Sequence, residues 1–174
     1  LKPFWVEEGK MVNAKQEIAI RVLVNGVELE STVAAESTLL DFLRQQGGIV
    51  DVKCGCNKGD CGTCTVVYEG QTVKSCLVLA ASANNKEVWT LKGLEDDPLM
   101  KKLQASFVSY GAVQCGFFIP GMLVSSRGCL MRNPQPSRSE IREAISGNLC
   151  RCTGYQKIVD AVWAVATETP NEGA

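Results

Sequence analysis

The sequence predicts an α+β protein, with a small mixed sheet gripping one helix in the first half and four short helices in the second. Three observations carry this. Apolar residues recur with period two over residues 17–33 and again over 65–74. Beyond Gly93 the apolar period becomes that of a helix. Between the two alternating stretches, cysteines and glycines crowd together from Cys54 to Cys64, where a loop must wrap something closely.

In Glu17 to Val24, Ile18, Ile20, Val22 and Val24 alternate with Glu17, Ala19, Arg21 and Leu23. Asn25-Gly26 follows, a type I′ turn signal, and alternation resumes over Val27 to Val33, so a β-hairpin is expected. Thr38 is placed to cap a helix over Leu39-Leu40-Asp41-Phe42-Leu43. Asp41 echoes a capping box, and Gly47 is expected in the left-handed C′ position. Thr65 to Tyr68 and Gln71 to Lys74 form a second hairpin around Glu69-Gly70. Cys76 to Ala83 is a short apolar helix or turn, and Glu87 to Leu91 a last strand. A helix wedged on such a sheet is a β-grasp arrangement.

The helical half follows. Asp97-Pro98 is a cap with proline at N1, ahead of a stripe of Leu99, Met100, Leu103, Phe107 and Val108 that ends at Gly111. Gly121 to Arg132 is a second helix, preceded by Pro120 and ended before Pro134. Ser137 and Glu140 form a capping box for a third, ending at Gly147. Tyr155, Ile158, Val159, Val162, Trp163 and Ala166 mark a fourth. Tyr155, Trp163 and Phe107 read as core side chains at helical spacing. The expected organisation is an N-terminal extension over 1–16, a β-grasp domain over 17–93, a four-helix bundle over 94–168 and a C-terminal tail over 169–174.

Composition narrows the function. The chain has 174 residues, 45% hydrophobic and 21% charged, with a net charge of -1. No basic stripe stands out, which argues against nucleic acid and anionic membrane as partners. No apolar run reaches the roughly 18 residues of a membrane span. Residues 1–16 carry no apolar stretch of the secretory kind. Nine cysteines cannot all pair within one chain. A reducing, cytoplasmic compartment is therefore expected, where clustered cysteines serve as metal ligands. With no histidine present, a Rieske centre, a Cys2His2 zinc site, a Ser-His-Asp triad and a Cys-His dyad all drop out. Paired carboxylates, a P-loop and a G-x-G-x-x-G are also missing from the sequence.

Cys56, Cys61 and Cys64 have the C-x4-C-x2-C spacing, and Cys76 supplies a distant fourth thiol. That is the ligand spacing of a plant-type [2Fe–2S] cluster. Zinc is the alternative, but it usually takes two short C-x2-C knuckles. Cys54 is left over as a thiol of the same loop. A second constellation lies in the helical half. Gly111-Ala-Val-Gln-Cys-Gly-Phe-Phe-Ile-Pro-Gly-Met122 joins the first two helices, and Gly147-Asn-Leu-Cys-Arg-Cys-Thr-Gly-Tyr155 joins the last two. If these loops meet, Cys115, Cys150 and Cys152 converge, one thiolate short of a standard cluster. The bland reading is buried cysteines acting as small hydrophobes.

Taken together, these motifs resemble the small iron–sulfur subunit of the xanthine dehydrogenase and aldehyde oxidoreductase family of molybdenum hydroxylases. The resemblance covers roughly residues 17–167. It implies a ferredoxin-like [2Fe–2S] domain followed by a helical domain holding a second cluster. It further implies a molybdopterin-binding catalytic subunit and an FAD-binding subunit as partners. Electrons then run from molybdopterin through both clusters towards FAD, and this chain has no substrate site. By position, Gln114 and Cys150 match residues that approach the pterin. One position departs from the family. The pattern Cys-Gly-aromatic-Cys-Thr-Pro-Gly stands here as Cys115-Gly-Phe-Phe118-Ile-Pro-Gly121. Phe118 replaces a ligand cysteine, and a phenyl ring cannot bind iron. The second site then keeps an unusual fourth ligand, is altered, or is absent with Phe118 and Ile119 filling its space. Three retained thiols and two glycine loops favour the first outcome. Cys129 is a poor substitute, three helical turns or ~16 Å further on. Two rival functions remain, a free-standing ferredoxin-like carrier and a docking subunit with one working cluster.

Overall fold

The computed structural model describes residues 17–168. The expected N-terminal extension and C-terminal tail lie outside them. The chain is α+β, with a mixed five-stranded sheet in the order β2-β1-β5-β3-β4. Strands β1 (Glu17–Val24) and β2 (Val27–Ala34) form the first hairpin, paired from Glu17–Ala34 to Val24–Val27. Asn25 and Gly26 turn it with φ of 53° and 79°, the left-handed pair a type I′ turn requires. Strands β3 (Thr65–Tyr68) and β4 (Gln71–Lys74) form the second. The short strand β5 (Glu87–Trp89) joins them, parallel to β1 and antiparallel to β3.

Helix α1 is shorter than its apolar run suggests. It spans Leu39–Asp41, capped by Thr38 through a full capping box with Asp41, and then widens into a π-helical turn over Phe42–Gln46. Gly47 has φ of -82°, so it is not the left-handed residue; Gly48 is, at 62°. The wider turn delays the reversal by one residue, with the Gly47 N–H bonded to Phe42 O at 3.0 Å. Leu39, Leu40, Phe42 and Leu43 are all at most 1% exposed and fill the space between α1 and the sheet. Each contributes roughly 1.5–3 kcal/mol of hydrophobic burial. The segment Cys76 to Ala83 is two 3-10 turns, Ser75–Leu77 and Ala80–Ala83, rather than one helix.

The second half holds α2 (Pro98–Ser109), α3 (Ile119–Arg132), α4 (Arg138–Ile145) and α5 (Gln156–Glu168). Asp97 caps α2, and Ser137 with Glu140 forms the capping box of α4. Helix α2 packs on α3 and α5, and α4 packs on α3 and α5. Met100, Leu103 and Phe107 face this second core, but Val108 does not: it is 73% exposed. Trp163 likewise leaves the core for the surface, where the Arg138 guanidinium lies 4.4 Å above its ring and pairs with Asp160.

Two hydrophobic cores result, one between α1 and the sheet and one among the helices. They meet at β3, whose Val66 enters the first core and Val67 the second. Helix α3 packs on β3 and β4. This explains why Thr65, Val66 and Val67 are all buried: the strand is covered on both faces.

Candidate metal centres and the seam between them

The second hairpin builds the first site. Cys64 immediately precedes β3 and Cys76 lies just beyond β4, so the pairing of Thr65 with Lys74 draws the two cysteines together. Both the N–H and the hydroxyl of Ser75 donate to Cys64 O, at 3.2 and 2.9 Å. Cys56 arrives on the preceding loop, which Lys74 Nζ holds by a 2.6 Å bond to Gly59 O. The Cys56 Sγ accepts from the backbone N–H of Lys58 at 3.5 Å and of Cys61 at 3.4 Å. Those two donors bring its pKa down to about 6. Burial and the neighbouring Cys64 thiol push Cys76 up to about 12. Cys61, Cys64 and Cys76 are buried, while Cys54 is exposed. A Cβ on Gly55 would come 2.8 Å from Cys61 Sγ, so only glycine lets the loop close there.

The donor set fits a binuclear cluster. Soft thiolates suit iron and sulfide, and backbone N–H groups already point at sulfur. Tetrahedral zinc needs four sulfurs at about 2.3 Å from one centre. A [2Fe–2S] group divides its four thiolates between two irons.

In the second site the loop before α3 meets the loop before α5. Cys115 Sγ and Cys152 Sγ lie 3.5 Å apart. The Phe117 N–H bonds to Cys115 Sγ and lowers its pKa. This repeats, two residues on from the sulfur, the donor that Lys58 gives Cys56. Cys152 is raised, by the Cys115 thiol first and then by burial and Cys150. Cys150 is buried, and its Sγ accepts from the Thr153 hydroxyl at 3.2 Å. Its N–H donates to Tyr155 Oη at 2.7 Å, so Tyr155 braces this loop as well as packing on the helical core. Phe118 is half-buried at the N-cap of α3, edge-on to Phe117 with ring centres 5.3 Å apart. Cys129 stands apart, with burial raising its pKa and Arg132 and Glu140 as its charged neighbours. Gln114 is exposed.

Sequence reasoning missed how the sites join. Leu149 N–H donates to Cys61 O at 2.9 Å. Asn148, 3% exposed, donates through Nδ2 to Gly62 O at 2.8 Å. Gly62 has φ of 68°, and a Cβ there would meet Gly147 O at 2.3 Å. A Cβ on Gly121 would meet Gly62 O at 2.4 Å. The glycines flanking both cysteine loops were visible, but their mutual contact was not.

The fold thus presents two cysteine sites, one in each half of the chain, of the kind found in iron–sulfur proteins. The family described as 2Fe-2S iron-sulfur cluster binding domain matches residues 22–91, and the [2Fe-2S] binding domain family matches residues 90–163. The chain is 43% identical to the nicotinate dehydrogenase small FeS subunit of Eubacterium barkeri, over 84% of this chain and 93% of that one. It is 40% identical to the xanthine dehydrogenase iron-sulfur-binding subunit of Escherichia coli O157:H7, over 87% and 96%. The solved structure of quinoline 2-oxidoreductase from Pseudomonas putida 86 superposes with a TM-score of 0.81 at 43% identity, covering 87% of this chain and 95% of that one. The chain belongs to the small [2Fe–2S] subunits of the molybdenum hydroxylase family. Its place is that of an electron-transfer subunit of an oxidoreductase complex.

Proposed function

We propose that this chain relays electrons from a molybdopterin-bearing catalytic subunit, through two [2Fe–2S] centres, towards an FAD-bearing subunit. Cys56, Cys61, Cys64 and Cys76 would hold the outer centre, and Cys115, Cys150 and Cys152 the inner one. Gln114 and Cys150 would face the pterin. The halves carrying them are read as a β-grasp domain over 17–93 and a four-helix bundle domain over 94–168. When bound, each [2Fe–2S] group takes up and gives out one electron at a time. The chain's own work is to fix the thiolates, turn N–H donors onto sulfur and keep the two sites in register. The single observation that carries the relay is the bond from Leu149 N–H to Cys61 O. It joins a residue next to Cys150 directly to one of the outer thiol residues.

The relatives' names support a nitrogen heterocycle or an aldehyde as substrate of the whole complex, bound on another subunit. Nine free thiols suit a reducing, cytoplasmic setting. Counting iron and sulfide on the purified complex, with electron paramagnetic resonance (EPR) after reduction, tests the proposal. Four irons per chain and two distinct [2Fe–2S] signals are expected; two irons and one signal would overturn the inner centre. Phe118 favours a second reading, a docking subunit with one working cluster. Flavin reduction by substrate in the intact complex separates that from a relay. A chain that purifies as a monomer, without molybdenum or flavin subunits, would instead favour a free-standing carrier.

A further inference from the structure

Resting on the reading of Cys56, Cys61, Cys64 and Cys76 as the outer [2Fe–2S] site, we propose that Lys74 is a positioning residue of that site. Its ammonium group holds the cysteine loop in place, and its positive charge favours the reduced state of the outer centre.

Lys74 is the last residue of β4, paired with Thr65 and two residues before Cys76. It is half-buried, and its Nζ donates to Gly59 O at 2.6 Å. Gly59 lies between Cys56 and Cys61 in the chain, and its own N–H donates to Cys76 Sγ. With φ of 90°, Gly59 also sits against Leu77, where an added Cβ would come 2.7 Å from Cδ1. One loop residue therefore gives its N–H to a thiol and its carbonyl to the lysine. By holding the carbonyl, Lys74 helps fix where that N–H points.

The charge is not cancelled close by. Among the described residues no carboxylate pairs with Lys74, whereas Lys58 of the cysteine loop pairs with Asp60 at 3.0 Å. Partial burial also weakens screening by salt. An electron taken up by a thiolate-bound centre makes it more negative, so a fixed cation beside it stabilises the reduced form more than the oxidised one. A higher potential at the outer centre draws electrons from the inner site, the direction a relay towards FAD requires. The lysine also passes Gly147 of the inner loop, where an added Cβ would lie 3.3 Å from Nζ. Its hydrogen bond is to the outer loop, so the outer centre should feel the charge more.

The test is a redox titration of the intact complex, followed through the EPR signals of the two centres, on wild type, Lys74→Arg, Lys74→Gln and Lys74→Met. The arginine keeps the charge, the glutamine keeps an uncharged N–H donor, and the methionine keeps only an apolar stem. Lys74→Gln and Lys74→Met should lower the outer midpoint potential by the equivalent of about tenfold in the reduction equilibrium, about 59 mV for one electron. The inner midpoint should move less, and Lys74→Arg should keep most of the wild-type value. A wild-type outer potential in Lys74→Gln, or a fall in Lys74→Arg as large as in Lys74→Met, would overturn the proposal, because a merely structural lysine gives either result. So would an inner midpoint that moves more than the outer one. If one neutral variant does not assemble, the other decides against Lys74→Arg. If no variant holds the outer centre, Lys74 serves folding alone and the proposal falls. A wild type without an outer signal would instead remove the reading of the four cysteines on which it rests.

Discussion

Gly62 is where the two halves press hardest, and replacing it with alanine gives the sharpest test of the seam. Two costs combine. With φ of 68°, an L-residue is held in the left-handed region, at roughly 1–2 kcal/mol. The new Cβ would also lie 2.3 Å from Gly147 O and 2.9 Å from Asn148 Cα. Both are backbone atoms that cannot rotate away, so the seam must open by about 1 Å, and such overpacking costs about 1–3 kcal/mol. Gly70→Ala is the control. Its φ is 78°, and nothing lies within 4 Å of the added Cβ. It carries the same backbone strain, and the same gain from a stiffer unfolded chain, without the collision. The difference between the variants therefore isolates the seam. At about 2–4 °C per kcal/mol for a chain of this size, Gly62→Ala should melt about 6 °C below Gly70→Ala in calorimetry of the cluster-loaded chain. Equal melting temperatures would refute the close contact of the two halves.

Three further outcomes are expected. Asn148→Asp should lower the urea midpoint more than Asn148→Ala, by the equivalent of about 1–3 kcal/mol, because an ionised carboxylate would turn an acceptor towards Gly62 O; equal midpoints would count against the bond. Cys56→Ala should abolish one of the two EPR signals while Cys54→Ala leaves both, and the reverse result would move the outer ligand to Cys54. Asp97 tests charge. Burial pushes its pKa up, but Arg127 and the Met100 N–H outweigh this and leave it below the ordinary range. A depressed carboxylate stabilises the fold above its unfolded pKa of about 3.9 and loses that contribution as pH falls through the folded value. The melting-temperature gap between wild type and Asp97→Asn should thus be largest near neutral pH and shrink below about pH 4, and a gap independent of pH would exclude the ion pair as its source.

What the sequence made legible was local. Asn25-Gly26, the Thr38 and Ser137 capping boxes and the Asp97-Pro98 cap each act within a few residues of themselves. The pairing of Cys64 with Cys76 was also within reach, since one short hairpin separates them. The departures come from tertiary packing. Val108 has the right helical phase, but among the described residues no element covers it. Trp163 keeps its phase yet turns outward, where Arg138, paired with Asp160, lies over its ring. The π-helical turn that moves the left-handed residue from Gly47 to Gly48 has no local signature. The contacts of Asn148 and Leu149 with Gly62 and Cys61 span more than eighty residues, and no periodicity reports a contact between two loops.

The Leu149 bond gives the protein its own gauge. Leu149 is 48% exposed, so solvent stands close by. Its amide proton, however, is tied to a carbonyl on the other half of the chain. Deuterium can replace that proton only when the halves part. The exchange rate of this one amide therefore reads how often the two centres fall out of register, in a molecule that has not otherwise unfolded.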